Sequence, residues 1–171
     1  LIIELLNIVE EKYNVFFGKN DEIDSLFHLA IMCANTQTIS ELLNLVEEKK
    51  VLFEKNIYGE TLFHVVGRAG NTKLFLELLN LVDDKKEVFL AKDNTGQTVF
   101  HIAVRHGHSE MVLELIKGFS SKEKKEVFCA KDNNGNTLLN VAVKEGNTKL
   151  FLKLLSQVSD KINNGFLYKY I

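Results

Sequence analysis

An all-α solenoid of stacked helix-turn-helix units, joined by short finger turns, is the fold class predicted for this chain of 171 residues. Three observations carry that prediction. First, four segments align: DSLFHLAIMCANTQ from Asp24, ETLFHVVGRAGNTK from Glu60, QTVFHIAVRHGHSE from Gln97 and NTLLNVAVKEGNTK from Asn136. Their hydroxyl residues Ser25, Thr61, Thr98 and Thr137 recur 36, 37 and 39 residues apart. Second, LLNIVEEK from Leu5, LLNLVEEK from Leu42 and LLNLVDDK from Leu78 recur at 37 and 36 residues, so a second block keeps the same period. Third, apolar positions in that block, such as Leu74, Phe75, Leu78, Leu79 and Val82, fall at helical spacing. Self-similarity at a few tens of residues marks a linear array whose units bury their apolar faces against one another.

In order, residues 1–19 read as the second helix and exit of a preceding unit. Units follow over 20–55, 56–92, 93–131 and 132–160, with an irregular tail or the start of another unit over 161–171. Within a unit, Ser25, Thr61, Thr98 or Thr137 offers a side-chain oxygen to the free amides of a helix start, and Gly70, Gly107 or Gly146 stops that helix about two turns later. Asn71-Thr72, His108-Ser109 or Asn147-Thr148 then opens a longer, amphipathic second helix. The connections AKDNTGQ and AKDNNGN combine Asp-Asn with glycine, the chemistry of a tight projecting turn.

The order G-x-T-x-x-H-x-A, helix, G-H, second helix with a Leu-Leu pair, then D-x-x-G resembles the ankyrin repeat. Thr98, His101, Ala103, Gly107 and His108 occupy its positions within one unit, and the likeness covers nearly the whole chain. The chain departs from that pattern in two ways. Leu26, Leu62, Val99 and Leu138 stand where the family has proline, and the chain contains no proline at all. Its period also exceeds the family's roughly 33 residues. The excess is expected from a second helix that runs on through segments such as NLVDDKKEVF, with Val88 and Phe89, or Val127 and Phe128, adding an apolar layer. The third unit, IKGFSSKEKKEVF, holds two further residues and Gly118, which predicts a looser loop; Ile23 in place of glycine makes the first finger atypical.

Composition excludes several classes of function. Hydrophobic residues at 46%, charged residues at 26% and a net charge of -2 are globular values without a general pull toward nucleic acid or anionic membrane. No apolar run reaches the roughly 18 residues of a bilayer span. Cys33 and Cys129 share no metal-binding or redox spacing, which fits a cytoplasmic or other reducing interior. The chain begins with Leu1, without a basic leader, as expected of a segment from a longer polypeptide. Abundant Asn, Lys, Ile and Phe suggest A+T-rich coding sequence. With the resemblance, that bias points to a secreted effector or toxin of a bacterium living inside host cells.

No catalytic motif is present: the chain lacks a nucleophile elbow, a phosphate loop and the metalloprotease helix. A non-enzymatic module without cofactors or metals is expected. His28, His64 and His101 share one repeat position, with Asn140 as the fourth. Equivalent positions on stacked helices lie about 8–10 Å apart, whereas zinc ligands sit about 2 Å from the metal, so these histidines cannot share an ion. The resemblance implies that they are structural hydrogen-bonders and that His108 caps the second helix. His106, His108 and Glu110 offer three ligand types in five residues but straddle a helix break and match no metal spacing.

Recognition remains, and the resemblance implies a partner protein lying across the fingers and the exposed side of helix one. The corresponding positions are Lys19, Asp21, Glu22, Met32 and Cys33 in the first unit, and Lys55, Ile57, Tyr58, Glu60 and Arg68 in the second. The third contributes Lys92, Asn94, Thr95, Gln97, Arg105 and His106; the fourth contributes Lys131, Asn133, Asn134, Asn136, Lys144 and Glu145. Lys19, Lys55, Lys92 and Lys131 form one basic row, and Arg68, Arg105 and Lys144 another, which suggests a partner with an acidic segment; the alternative is a row of solvated lysines. Ile57 and Tyr58 are the expected hydrophobic anchor. A monomeric fragment with neither nucleic acid, membrane nor small-molecule substrate completes the expectation. The rival readings are a recruiting arm of a larger enzyme or toxin and a structural spacer.

Overall fold

The computed structural model describes residues 52–159. The candidates Lys19, Asp21, Glu22, Ile23, His28, Met32 and Cys33 lie outside the described residues. Eight α-helices occur among the described residues: α1 Leu62–Ala69, α2 Thr72–Leu79, α3 Lys85–Leu90, α4 Val99–Arg105, α5 Ser109–Lys117, α6 Ser121–Cys129, α7 Leu138–Lys144 and α8 Thr148–Ser159. No strand is assigned among them. The first helices α1, α4 and α7 stack in register, each packs on the second helix of its own unit, and α3 stacks on α6. The fold is an all-α solenoid.

Helices of seven or eight residues are too short to persist alone in water. Packing holds them: Phe63, Phe75, Phe100 and Phe128 are fully buried, and the same core runs unbroken from Leu52 to Leu154. Such burial overrides the modest helix propensity of Val99, Ile102, Val104 and Val141. Gly70 ends α1 in the left-handed region at φ 68°, and a Cβ there would meet the His108 ring at 2.3 Å, so both conformation and space require glycine.

The second helix does not continue through NLVDDKKEVF as expected. It stops at Leu79, and a separate helix α3 begins where Asp84 Oδ1 accepts from the Lys86 amide at 2.9 Å. A local cap breaks a periodicity that looked continuous. The apolar layer itself is present: Val88, Phe89, Val127 and Phe128 are buried on α3 and α6.

The loop expected to be loose in the third unit is instead tight. Only residues 118–120 separate α5 from α6, and the two additional residues lengthen the helices. Ser120 and Glu123 close a reciprocal capping box, with the Ser120 amide 2.8 Å from Glu123 Oε2. Phe119 turns inward, its ring 4.6 Å from Phe89 and 5.9 Å from Phe100 between centroids.

Fingers lie between third and first helices. Asp93 Oδ1 accepts from the amides of Thr95 and Gln97 at 2.9 and 2.8 Å, and Asp132 and Asn56 repeat the arrangement. Neighbouring fingers are then joined directly. Asn94 donates from its backbone to Tyr58 O and from Nδ2 to Ile57 O, and Asn133 does the same to Thr95 O and Asn94 O. Gly96 must be glycine, because at φ 75° a Cβ would come within 2.7 Å of the Asn133 amide nitrogen.

Candidate functional site

A cleft of about 410 Å³ opens where the fingers of the second and third units meet the ends of α1 and α4. Tyr58, Glu60 and Arg68 line one wall. Asn94, Thr95 and Gln97 from the next finger, with Arg105 and His106 at the end of α4, line the other. Asp93 and Ile102 complete it and were not anticipated: Asp93 reads as a turn former, and Ile102, matched by Val65 and Val141, reads as core. The carbonyl and side-chain bonds at the base of each finger hold Tyr58 and Thr95 at its tip. Tyr58, which lines the cleft, and Ile57, the residue before it, are exposed at 51% and 55%.

Other candidates are not brought into this cleft. Lys55 Nζ donates to Lys92 O at 2.9 Å, and Lys92 Nζ donates to Lys131 O at 2.7 Å, so these two lysines join consecutive units. Lys131, Asn133, Asn134, Lys144 and Glu145 belong to the next junction along the array. The basic stripe is also partly engaged. Arg68 pairs with Glu60, a carboxylate only 2% exposed, and Lys144 Nζ donates to Asn136 Oδ1 at 2.6 Å. Arg105 makes only a loose contact, 3.8 Å from Glu145 Oε1. Desolvation first, then the charges of Arg68, His108 and Arg105, hold the His106 imidazole below its ordinary pKa.

His64 and His101 sit beneath the cleft and are fully buried. The Thr61 amide and hydroxyl converge on His64 Nδ1 at 3.1 and 2.8 Å, and those of Thr98 on His101 Nδ1 at 3.3 and 2.8 Å. An amide can only donate, so Nδ1 accepts and Nε2 carries the proton. Each Nε2–H reaches a carbonyl ahead in the chain, Ala91 O for His64 and Asn136 O for His101, both at 3.1 Å. At the fourth position Asn140 Oδ1 accepts from the Thr137 amide and hydroxyl, both at 2.9 Å, reproducing the near half of this bridge.

Burial lowers the pKa of both rings. In the unfolded chain they take up protons near the ordinary value of about 6.5; in the folded chain they do so only at lower pH. Below about pH 6.5 the unfolded state therefore binds more protons, and stability falls as pH drops through that value. From pH 7 to pH 5 the chain is expected to lose stability, read as a fall in the urea midpoint. The double substitution His64→Asn, His101→Asn should flatten that decline.

His108 does not cap its helix with its side chain. Its Nε2–H donates instead to Arg68 O of the preceding unit at 2.8 Å. The asparagines at this position do cap, Asn71 Oδ1 accepting from Leu74 N and Asn147 Oδ1 from Leu150 N. Among the described residues no three His, Cys, Asp or Glu side chains are grouped to hold a metal ion, and no helix is long and apolar enough to cross a membrane.

Stacked units, buried Thr-His bridges and hydrogen-bonded fingers define a linear repeat protein. A family model of ankyrin repeats in three copies matches residues 27–126 and 68–164. The chain belongs to the ankyrin-repeat family, whose members are in general protein-protein interaction modules and typically non-catalytic. No curated protein is significantly similar to it in sequence.

Proposed function

We propose that the chain binds a partner protein across the cleft between its second and third fingers, with Tyr58 and Ile57 as the apolar anchor. The observation that carries this reading is the convergence of Tyr58, Arg68, Asn94, Thr95, Gln97, Arg105 and His106 around one cleft of about 410 Å³, with Tyr58, Thr95, Gln97 and His106 at positions where the units differ. Scaffold positions repeat, whereas a partner is specified by side chains that vary. Of the two arginines that line the cleft, Arg68 already pairs with Glu60, while Arg105 makes only a 3.8 Å contact with Glu145. Arg105 and the adjacent His106 are the groups an acidic side chain would meet.

Arg68 is a poor probe of binding, since its removal takes the ion pair from the buried Glu60 carboxylate and destabilises the fold. The informative variant is Tyr58→Ala with Arg105→Ala in the 171-residue chain. Capture of the partner is expected to fall about tenfold or more, with circular dichroism unchanged. Undiminished capture would refute the reading.

A further inference from the structure

The fourth unit carries the features with which the second and third units each receive their neighbour. At both of those junctions the glycine of one finger makes room for an asparagine of the next. A Cβ at Gly59 would come within 2.7 Å of the Asn94 amide nitrogen, and one at Gly96 within 2.7 Å of that of Asn133. Each asparagine then takes two carbonyls of the preceding finger, Ile57 O and Tyr58 O for Asn94, and Asn94 O and Thr95 O for Asn133. The two residues change together in the sequence: the second finger has Ile57 at the asparagine position, and the first finger has Ile23 in place of the glycine. Gly135 keeps the glycine, and apart from its chain neighbours no atom of the described residues lies within 4 Å of where its Cβ would be. Asn133 O and Asn134 O, the matching carbonyls, accept from no donor among the described residues. On the same unit Val143 of α7 is 58% exposed, whereas Val104, its counterpart on α4, is 1% exposed with α7 stacked on its helix. Lys55 and Lys92 each donate to a carbonyl of the next unit, and Lys131 follows them in the series.

We propose that this end of the fourth unit is a docking surface for a further helix-turn-helix unit whose finger has asparagine two residues after its lysine, the spacing of Lys92 to Asn94 and of Lys131 to Asn133. That asparagine donates from its main chain to Asn134 O and from Nδ2 to Asn133 O, passing over Gly135. The first helix of the incoming unit covers Val143, and Lys131 Nζ reaches the carbonyl of the incoming finger's lysine. These are the contacts between the third and fourth units, so the surface continues an interface already built within the chain. A finger with isoleucine in this place, as in the second unit, lacks the Nδ2 donor and leaves Asn133 O unpaired. A loose peptide supplies the finger but not the helix that covers Val143. The asparagine therefore decides which units fit.

The test extends the array. Phe166-Leu167 falls 39 residues after Val127-Phe128, which falls 39 after Val88-Phe89, so a copy of residues 131–171 placed directly after Lys169 keeps the period. Urea unfolding of the extended chain is expected to remain a single transition, with a higher midpoint than the 171-residue chain and an m-value about a fifth larger. The amide of the copied Asn133 should exchange at least about tenfold more slowly than in an unfolded chain. Asn133→Ile in the copy alone should return part of the midpoint gain. Gly135→Ala separates docking from backbone strain, since it should lower the midpoint further in the extended chain than in the 171-residue chain. A second transition, an unraised midpoint, or equal losses from Gly135→Ala in both chains would overturn the proposal. In the 171-residue chain itself Gly96→Ala should cost more than Gly135→Ala. Equal costs there, nuclear Overhauser contacts from the Val143 methyls to residues 160–171, or a dimer dissolved by Val143→Lys would give the surface another occupant and sink the proposal as well.

Discussion

Truncating Phe100 to alanine is expected to cost about 3–5 kcal/mol of unfolding free energy, the largest effect of any single substitution proposed for this chain. Phe100 is 1% exposed and lies in the first turn of α4, its ring 5.7 Å from Phe89 and 5.9 Å from Phe119 between centroids. Those neighbours come from the third helix of the preceding unit and from the short loop of its own. Removing the ring therefore opens a void at the point where two units share their core. Phe100→Leu, which copies Leu139 of the fourth unit, should cost only about 1 kcal/mol. Urea denaturation of the three chains decides the matter: an alanine variant within 1 kcal/mol of the parent would mean that the units collapse around the gap and that the ring holds nothing together.

Replacing His101 by leucine comes second, at roughly 2–4 kcal/mol. Leucine matches the imidazole in bulk but leaves the Thr98 amide and hydroxyl without their acceptor in a buried setting, and Asn136 O keeps only the Asp132 amide of its two donors. His101→Asn should recover about half, because Asn140 already shows that an asparagine at this position satisfies the threonine of its own turn. What asparagine fails to restore is the reach into the next finger. Amide hydrogen exchange separates the two halves: the Thr98 amide should stay protected in the asparagine variant and become unprotected in the leucine variant. Equal protection in both would refute the bridge.

The repeat period, the threonine starts and the glycine stops were legible in the sequence because each depends on residues within one or two turns of each other. Gly70, Gly107 and Gly146 all adopt positive φ, a requirement that glycine announces by itself. The break before α3 was missed because apolar spacing runs on through NLVDDKKEVF, and only the Asp84 cap interrupts it. Phe119 was read as part of a loop because nothing nearby in the chain reveals that Phe89 and Phe100 wait to receive it.

The cleft was partly legible too. The rule supplied by the ankyrin resemblance, that partners lie across the fingers and the exposed side of helix one, found Tyr58, Gln97, Arg105 and His106. It could not find which charges remain available. Whether an arginine is paired depends on rotamers and register: Arg68 meets Glu60 in its own unit, while Arg105 leans toward Glu145 in the next. His108 shows the same limit, since its acceptor, Arg68 O, lies 40 residues away and is adjacent only after stacking.

Seven of the side chains that join the units share one property. Lys55, Lys92, His64, His101, His108, Asn94 and Asn133 all donate across a junction to a main-chain carbonyl. Every amino acid carries that acceptor, so the receiving position is free to hold any side chain. A unit can be duplicated, or exchanged for another, and keep these bonds wherever its new neighbour keeps the junction glycines, as at Gly70 and Gly96. Growth of the array and divergence of its surface are thereby made independent of one another.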